Sequence, residues 1–129
     1  MQSLDRSRRN LAFALAALAG FVDASGYLSA DRYFVSFMSG NTTRLGVELA
    51  IAPMQALIPL LLIACFVAGV IGGALLTSRH PGRHKPVLLL AVAAVLAAAA
   101  AADLAGLTMP ALALLAAAMG ALNNSFQKD

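Results

Sequence analysis

The hydrophobic positions of this chain fall into four long blocks that short polar segments separate. The blocks run from about 11–28, 54–76, 86–102 and 109–126. Each comes close to the roughly 20 apolar residues with which a helix crosses the hydrocarbon core of a bilayer. The pattern therefore predicts an all-α, polytopic transmembrane helix bundle with four spans, and we treat residues 1–129 as a single transmembrane domain.

Composition supports a membrane protein. Hydrophobic residues make up 60% of the chain and charged residues only 12%, whereas soluble domains carry about a quarter charged residues. The net charge of +3 does not indicate nucleic-acid binding, because the basic residues flank apolar blocks and form no basic face. The lipid bilayer is the predicted partner, and no nucleic acid is expected.

The distribution of basic residues predicts that the N-terminus is cytoplasmic. This orientation puts two basic residues outside, Arg32 and Arg44, and seven inside: Arg6, Arg8, Arg9, Arg79, Arg83, Lys85 and Lys128. A further span over Phe34–Ala52 would move the basic loop at 77–85 outside, so we expect 29–53 to be an outer loop or a re-entrant segment. A cleaved signal peptide is the alternative for the first block, but further apolar blocks follow it.

Asp23 lies inside the first predicted span. A carboxylate at membrane depth costs about 3 kcal/mol on insertion scales, so it is expected to face the bundle interior and have a partner. It could couple transport to a proton or an ion. The alternative is a structural hydrogen bond, or a side chain that reaches the outer surface. Arg44 is the expected cationic partner, and Tyr27, four residues on, could share the same helix face.

Residues 37–46, FMSGNTTRLG, are the most distinctive segment. Ser39 or Asn41 is a suitable N-cap for a helix over about Asn41–Ala50, which would be about 15 Å long. Such a half-helix could present its N-terminal N–H groups to an anion or a carbonyl group inside a cavity; the alternative is a short interfacial helix. The predicted solute or ion site comprises Asp23, Tyr27, Ser39, Asn41, Thr42 and Arg44.

Two segments of the chain resemble each other. Residues 15–25, LAALAGFVDAS, align with residues 115–125, LAAAMGALNNS, and Asp23 corresponds to Asn123. Three spans separate the start of one copy from the other, so the second copy would cross the membrane in the opposite sense, as in an inverted-topology repeat. The chain is expected to stop early in its second repeat.

Gly69 and Gly73 form a small-xxx-small pair, which favours close helix packing. The lone Cys65 is expected to be a small apolar residue on a helix. His80 and His84 are four apart, but Pro81-Gly82 between them and the lack of a third ligand argue against a metal site. The sequence contains no phosphate-binding loop, nucleophile elbow or cysteine pair, so we expect no cofactor.

The segments GFVDASGYL at 20–28 and FVSFMSGNTTRLG at 34–46 resemble the YoaK family of bacterial membrane proteins (domain of unknown function 1275). The family pattern is G-x-x-D-A followed by F-V-S-F-M-[ST]-G-N-T, and Ser39 stands where Thr is usual. The resemblance implies about six spans, roughly twice this length, and a second G-x-x-N element, which Gly120–Asn123 resembles. The second T-G-x motif is missing here, and the family implies no established activity.

These observations favour a small-solute transporter of the bacterial inner membrane, with a solute or a proton as its ligand. The alternative is a non-transport membrane protein that binds partners, or a second copy of itself, through its glycine-rich helix face. A membrane-embedded enzyme would need a second catalytic group near Asp23, and the sequence offers none, so no enzymatic activity is expected.

Overall fold

A computed structural model describes residues 6–29, 32–79 and 82–126, and over these residues the protein is all-helical. The helices are α1 Arg6–Ser29, α2 Met38–Ile51, α3 Leu57–Arg79, α4 His84–Leu104 and α5 Thr108–Leu122, and a 3-10 turn, Asn123–Phe126, follows α5 directly. The predicted all-α class is confirmed.

Within the described residues, three helices are long and apolar enough to cross a membrane. They are α1 with 24 residues, α3 with 23, and α4 from Lys85 to Leu104 with 20. The most apolar 18-residue stretch has a mean hydropathy of 2.5 in α3 and in α4, against 1.6 in α1, where Asp23 interrupts the apolar residues. A multi-pass membrane protein is therefore indicated. By itself α5 has only 15 residues.

Helix α2 starts earlier than the half-helix that the sequence predicts from about Asn41. It begins at Met38 and has 14 residues, which corresponds to about 21 Å. Its N-cap is Phe37, which makes no side-chain capping hydrogen bond, so the expected cap at Ser39 or Asn41 is wrong. The reason is that Asn41 directs its side chain back to Phe34.

Helices α3 and α5 pack most extensively, and α4 packs beside α5. Glycines permit this close approach. A Cβ atom on Gly69 would lie 2.7 Å from the carbonyl carbon of Ala117, and one on Gly120 would lie 2.9 Å from that of Phe66. Each helix thus brings a glycine against the other's backbone, which lets the two axes approach closely.

Helix α1 lies at the edge of this bundle and contacts α5 over a short stretch. Its buried residues are Val22 and Gly26. A Cβ atom on Gly26 would lie 3.3 Å from the Val35 side chain, so the segment between α1 and α2 packs on α1 at this point. The contacts of this segment with α1 form the candidate site.

Candidate functional site

The Asp23 carboxylate holds the segment that precedes α2. Its Oδ1 accepts hydrogen bonds from the backbone N–H groups of Val35 and Ser36, both at 2.8 Å, and its Oδ2 accepts one from the Ser36 hydroxyl. Both carboxylate oxygens therefore have donors. The expected pairing with Arg44 is wrong, since the donors to Asp23 come from Val35 and Ser36 and the Arg44 guanidinium lies against Glu48.

Asn41 holds the same segment from the side of α2. It is fully buried. Its Oδ1 accepts a hydrogen bond from the Phe34 N–H at 3.0 Å, and its Nδ2 donates to the Phe34 carbonyl at 2.6 Å. One amide side chain thus satisfies both backbone polar groups of a residue outside regular secondary structure, where an unsatisfied group would be costly.

Aromatic rings pack around this attachment. The Phe34 ring lies 5.1 Å from the Tyr27 ring and 5.2 Å from the Phe37 ring, centroid to centroid. A Cβ atom on Gly40 would lie 2.6 Å from the Phe37 ring and 2.9 Å from the Phe34 ring. The rings therefore require glycine at position 40, which explains why a glycine occurs early in α2.

A second polar cluster joins Tyr33, Arg44 and Glu48. Arg44 bonds to Oε1 of Glu48 through Nη2 at 2.9 Å and Nε at 3.2 Å, and the Tyr33 hydroxyl donates to the same oxygen at 3.0 Å. The Arg44 guanidinium also lies 4.1 Å from the centre of the Tyr33 ring, a cation–π distance. Burial and the hydrogen bond to Glu48 raise the pKa of Tyr33.

Glu48 and Tyr33 are site residues that the sequence analysis missed. The available signal for Glu48 is its position four residues after Arg44, a spacing at which opposite charges meet on a helix. Tyr33 carries no comparable signal, because it precedes α2 and its contact with Glu48 depends on how the chain turns into that helix.

Ser39 and Thr42 occupy the exposed side of α2. The Thr42 hydroxyl donates to the Met38 carbonyl at 2.9 Å, as is common for threonine within a helix. The six predicted site residues consequently occupy three places. Asp23, Tyr27 and Asn41 contact residues 34–36, Arg44 joins Glu48, and Ser39 and Thr42 face outward.

A cavity of about 340 Å³ lies between α1, α3 and α5. Ser36 and Asn123 supply polar groups to its wall, and the remaining lining residues are apolar: Ala12, Leu15, Ala16, Ala19, Phe66, Met119 and Leu122. Ser36 is the residue that Asp23 holds, and Asn123 is the residue that corresponds to Asp23 in the internal sequence similarity. The cavity thus brings the two similar segments together.

The predicted helix-packing glycines lie against the C-terminal part of the same chain. Gly69 faces Ala117, and a Cβ atom on Gly73 would lie 2.6 Å from Nδ2 of Asn124. This Asn124 amide donates to the Val70 carbonyl at 3.0 Å. The 3-10 turn that follows α5 is therefore fixed to α3 by a side-chain hydrogen bond.

No group of three metal-ligating side chains occurs among residues 6–29, 32–79 and 82–126. His80 and the side chain of His84 lie outside that description, as does Lys128.

Comparison with curated proteins and with solved structures finds no match. The sequence pattern of one family, described as Protein of unknown function (DUF1275), matches residues 11–128, nearly the whole chain. This match includes both segments on which the resemblance rested and extends it through the later helices. The chain therefore belongs to the DUF1275 family.

Proposed function

We propose that this chain is a small-solute transport protein, or part of one, and that the cavity between α1, α3 and α5 is its solute site. The cavity carries the proposal. Its volume of about 340 Å³ falls within the range of small-molecule sites, which is about 300–1,000 Å³. Apolar walls with a few polar groups are also typical of such sites, and here Ser36 and Asn123 supply those groups.

The internal sequence similarity supports the same location. Transporters built from inverted repeats bind their substrates where the repeats meet. Asp23 and Asn123 occupy equivalent positions of the two similar segments. Asp23 positions Ser36 by hydrogen bonds, and Asn123 and Ser36 both line the cavity. A repeat interface at this cavity would account for all of these contacts.

Four spans are part of this proposal. Helix α5 and the 3-10 turn follow each other without a break and contain 15 and 4 residues. Their combined length is about 30 Å at the rises of the two helix types, which matches the hydrocarbon core. With a cytoplasmic N-terminus, Arg79 and Arg83 would lie inside, in agreement with the positive-inside rule. The bacterial inner membrane is the proposed location.

A cavity-filling variant with a matched control tests the proposal. Both Ala16 and its neighbour Ala17 are exposed, but Ala16 lines the cavity and Ala17 does not. Cells that produce the full chain would be assayed for uptake of labelled amino acids, sugars, carboxylic acids and amines, with empty-vector cells as the baseline. We expect Ala16→Phe to abolish the uptake of a transported solute and Ala17→Phe to leave it unchanged.

Two results would contradict transport through this cavity. One is that no member of the panel enters faster than in empty-vector cells. The other is that Ala16→Phe and Ala17→Phe transport at the wild-type rate.

Assembly with partners through the glycine-rich face is the weaker proposal. The face that it requires contains Gly69 and Gly73, and α5 and Asn124 of the same chain already contact these glycines.

A further inference from the structure

The wall of the cavity between α1, α3 and α5 is uncharged over the residues that the structure describes. Its two polar residues are Ser36 and Asn123, and the others are alanine, leucine, phenylalanine and methionine. A charged solute would give up water there without gaining an ionic partner, which is costly. An uncharged solute does not meet this cost.

Ser36 can only accept hydrogen bonds from a solute. Its backbone N–H and its hydroxyl both donate to the Asp23 carboxylate, and its carbonyl already accepts the Met38 N–H. A serine hydroxyl has one proton and two acceptor lone pairs, so a hydroxyl that already donates has only its lone pairs left. A solute that binds to Ser36 must therefore bring an O–H or N–H group of its own.

The Asp23 carboxylate, which holds Ser36, adds to this selection. Its negative charge would repel an anionic solute that approached the Ser36 hydroxyl. Asp23 is not among the residues that line the cavity, and its two oxygens already accept three hydrogen bonds. It therefore does not supply the cavity with a direct ionic partner for a cationic solute.

Asn123 complements Ser36 on the wall. Its side chain is exposed, and a carboxamide has both a donor and an acceptor group. One hydroxyl of a diol could donate to Ser36, and the second could bond to Asn123 in either direction. The carbon atoms of the same molecule would then contact the apolar side chains of the wall.

We infer that the solute is a small uncharged alcohol with at least two hydroxyl groups. The inference rests on the proposed function for the location of the site, and it adds the chemical class of the solute. It concerns binding in the cavity of about 340 Å³, so it can be tested without measuring transport.

Protection of a cysteine in the cavity tests the inference. The full chain with Ala16→Cys, on a Cys65→Ala background in lipid vesicles, would be alkylated with a small permeant thiol reagent. Propylene glycol, lactate and isopropanolamine would be added at neutral pH, because they share a carbon skeleton and a hydroxyl group but are neutral, anionic and cationic. We expect propylene glycol to slow the alkylation, and the charged compounds to require at least about tenfold higher concentrations for the same effect.

Ala17→Cys on the same background is the matched control, because Ala17 is exposed but does not line the cavity. None of the three compounds should change its rate of alkylation. Equal slowing of Ala16→Cys and Ala17→Cys would overturn the inference, because it would show that the compounds act on the reagent or the membrane.

Two variants test the roles of the polar residues. Asn123→Asp adds a negative charge to the wall with little change in shape, so isopropanolamine should then protect Ala16→Cys and lactate should not. Ser36→Ala removes the acceptor, while the backbone N–H groups of Val35 and Ser36 still bond to Asp23. This variant should raise the concentration of propylene glycol needed for protection about fivefold.

The outcomes separate this inference from the proposed function. Protection by lactate or isopropanolamine at the concentration at which propylene glycol protects would overturn the inference, although the cavity could still be a solute site. Lack of protection by all three compounds would overturn it as well. Protection by propylene glycol without uptake of any solute by cells would support the inference and contradict transport.

Discussion

Asp23 and Ser36 are joined by two hydrogen bonds, one from the Ser36 backbone N–H and one from its hydroxyl, and the Asp23 carboxylate accepts both. Together with the bond from the Val35 N–H, they attach the chain before α2 to α1. Ser36 lies on the wall of the cavity, so Asp23 acts on that cavity by positioning another residue.

This attachment predicts a specific order of stability among variants. Asp23→Ala removes the acceptor of three hydrogen bonds and leaves two backbone N–H groups without it, which should lower the free energy of unfolding by about 3 kcal/mol. Ser36→Ala removes only the hydroxyl and should lower it by about 1 kcal/mol. Denaturant-induced unfolding in detergent micelles would measure both values. Equal effects would contradict the role of the backbone N–H groups.

The contact between α3 and α5 predicts opposite outcomes for two nearby glycines. A Cβ atom on Gly69 would collide with the backbone of Ala117, whereas one on Gly72 would meet no atom within 4 Å. Gly69→Ala should therefore destabilise the protein by about 3 kcal/mol, as overpacking does. Gly72→Ala should be neutral or up to about 1 kcal/mol stabilising, because alanine favours helix. Thermal unfolding would distinguish them, and similar midpoints would contradict the packing.

The sequence allowed the long helices to be predicted because lipid imposes a simple requirement. Twenty or so apolar residues must lie together for a helix to span, and α1, α3 and α4 satisfy it. Helix α2 was predicted only in part. Its start depends on Asn41, whose amide could cap a helix but instead binds Phe34. Local pattern does not distinguish these two uses of an asparagine.

The polar site was harder to predict because its contacts join residues that are distant in the chain. Asp23 was expected to face the bundle interior and to have a partner, but two of its three donors are backbone N–H groups, which every residue except proline carries and which no sequence pattern marks. Arg44 was assigned to Asp23 as the available cation, although Glu48 lies one helical turn away. Both Asp23 and Glu48 were possible partners for Arg44. The structure pairs Arg44 with Glu48, which lies on the same helix.

The raised pKa of Tyr33 predicts that the stability of the folded protein depends on pH in the alkaline range. Burial and the hydrogen bond to Glu48 raise its pKa above the ordinary value of about 10. The folded state then holds the phenolic proton more tightly than the unfolded state. This contribution to stability is complete below about pH 10 and is lost as pH rises through the raised value.

Tyr33→Phe tests this dependence because it removes the phenol and keeps the ring that contacts Arg44. The free energy of unfolding would be measured from about pH 8 to pH 11. We expect the wild type to lose more stability than Tyr33→Phe toward the alkaline end. Parallel curves for the two proteins would show that Tyr33 does not titrate differently in the folded state.

Exposed and buried positions around the start of α2 predict a labelling pattern that also tests the proposed orientation. Ser39 is exposed, whereas Val35 is fully buried, and Ser78 lies exposed near the end of α3. Single cysteines at these positions, on a Cys65→Ala background, would be treated with a membrane-impermeant thiol reagent. From outside the cell Ser39→Cys should react, Val35→Cys should not, and Ser78→Cys should react only after permeabilisation.

Labelling of Ser78→Cys in intact cells would reverse the orientation, because α3 would then end outside. Protection of Ser39→Cys with Ser78→Cys still inside would instead indicate that the exposed side of α2 faces lipid or a second chain.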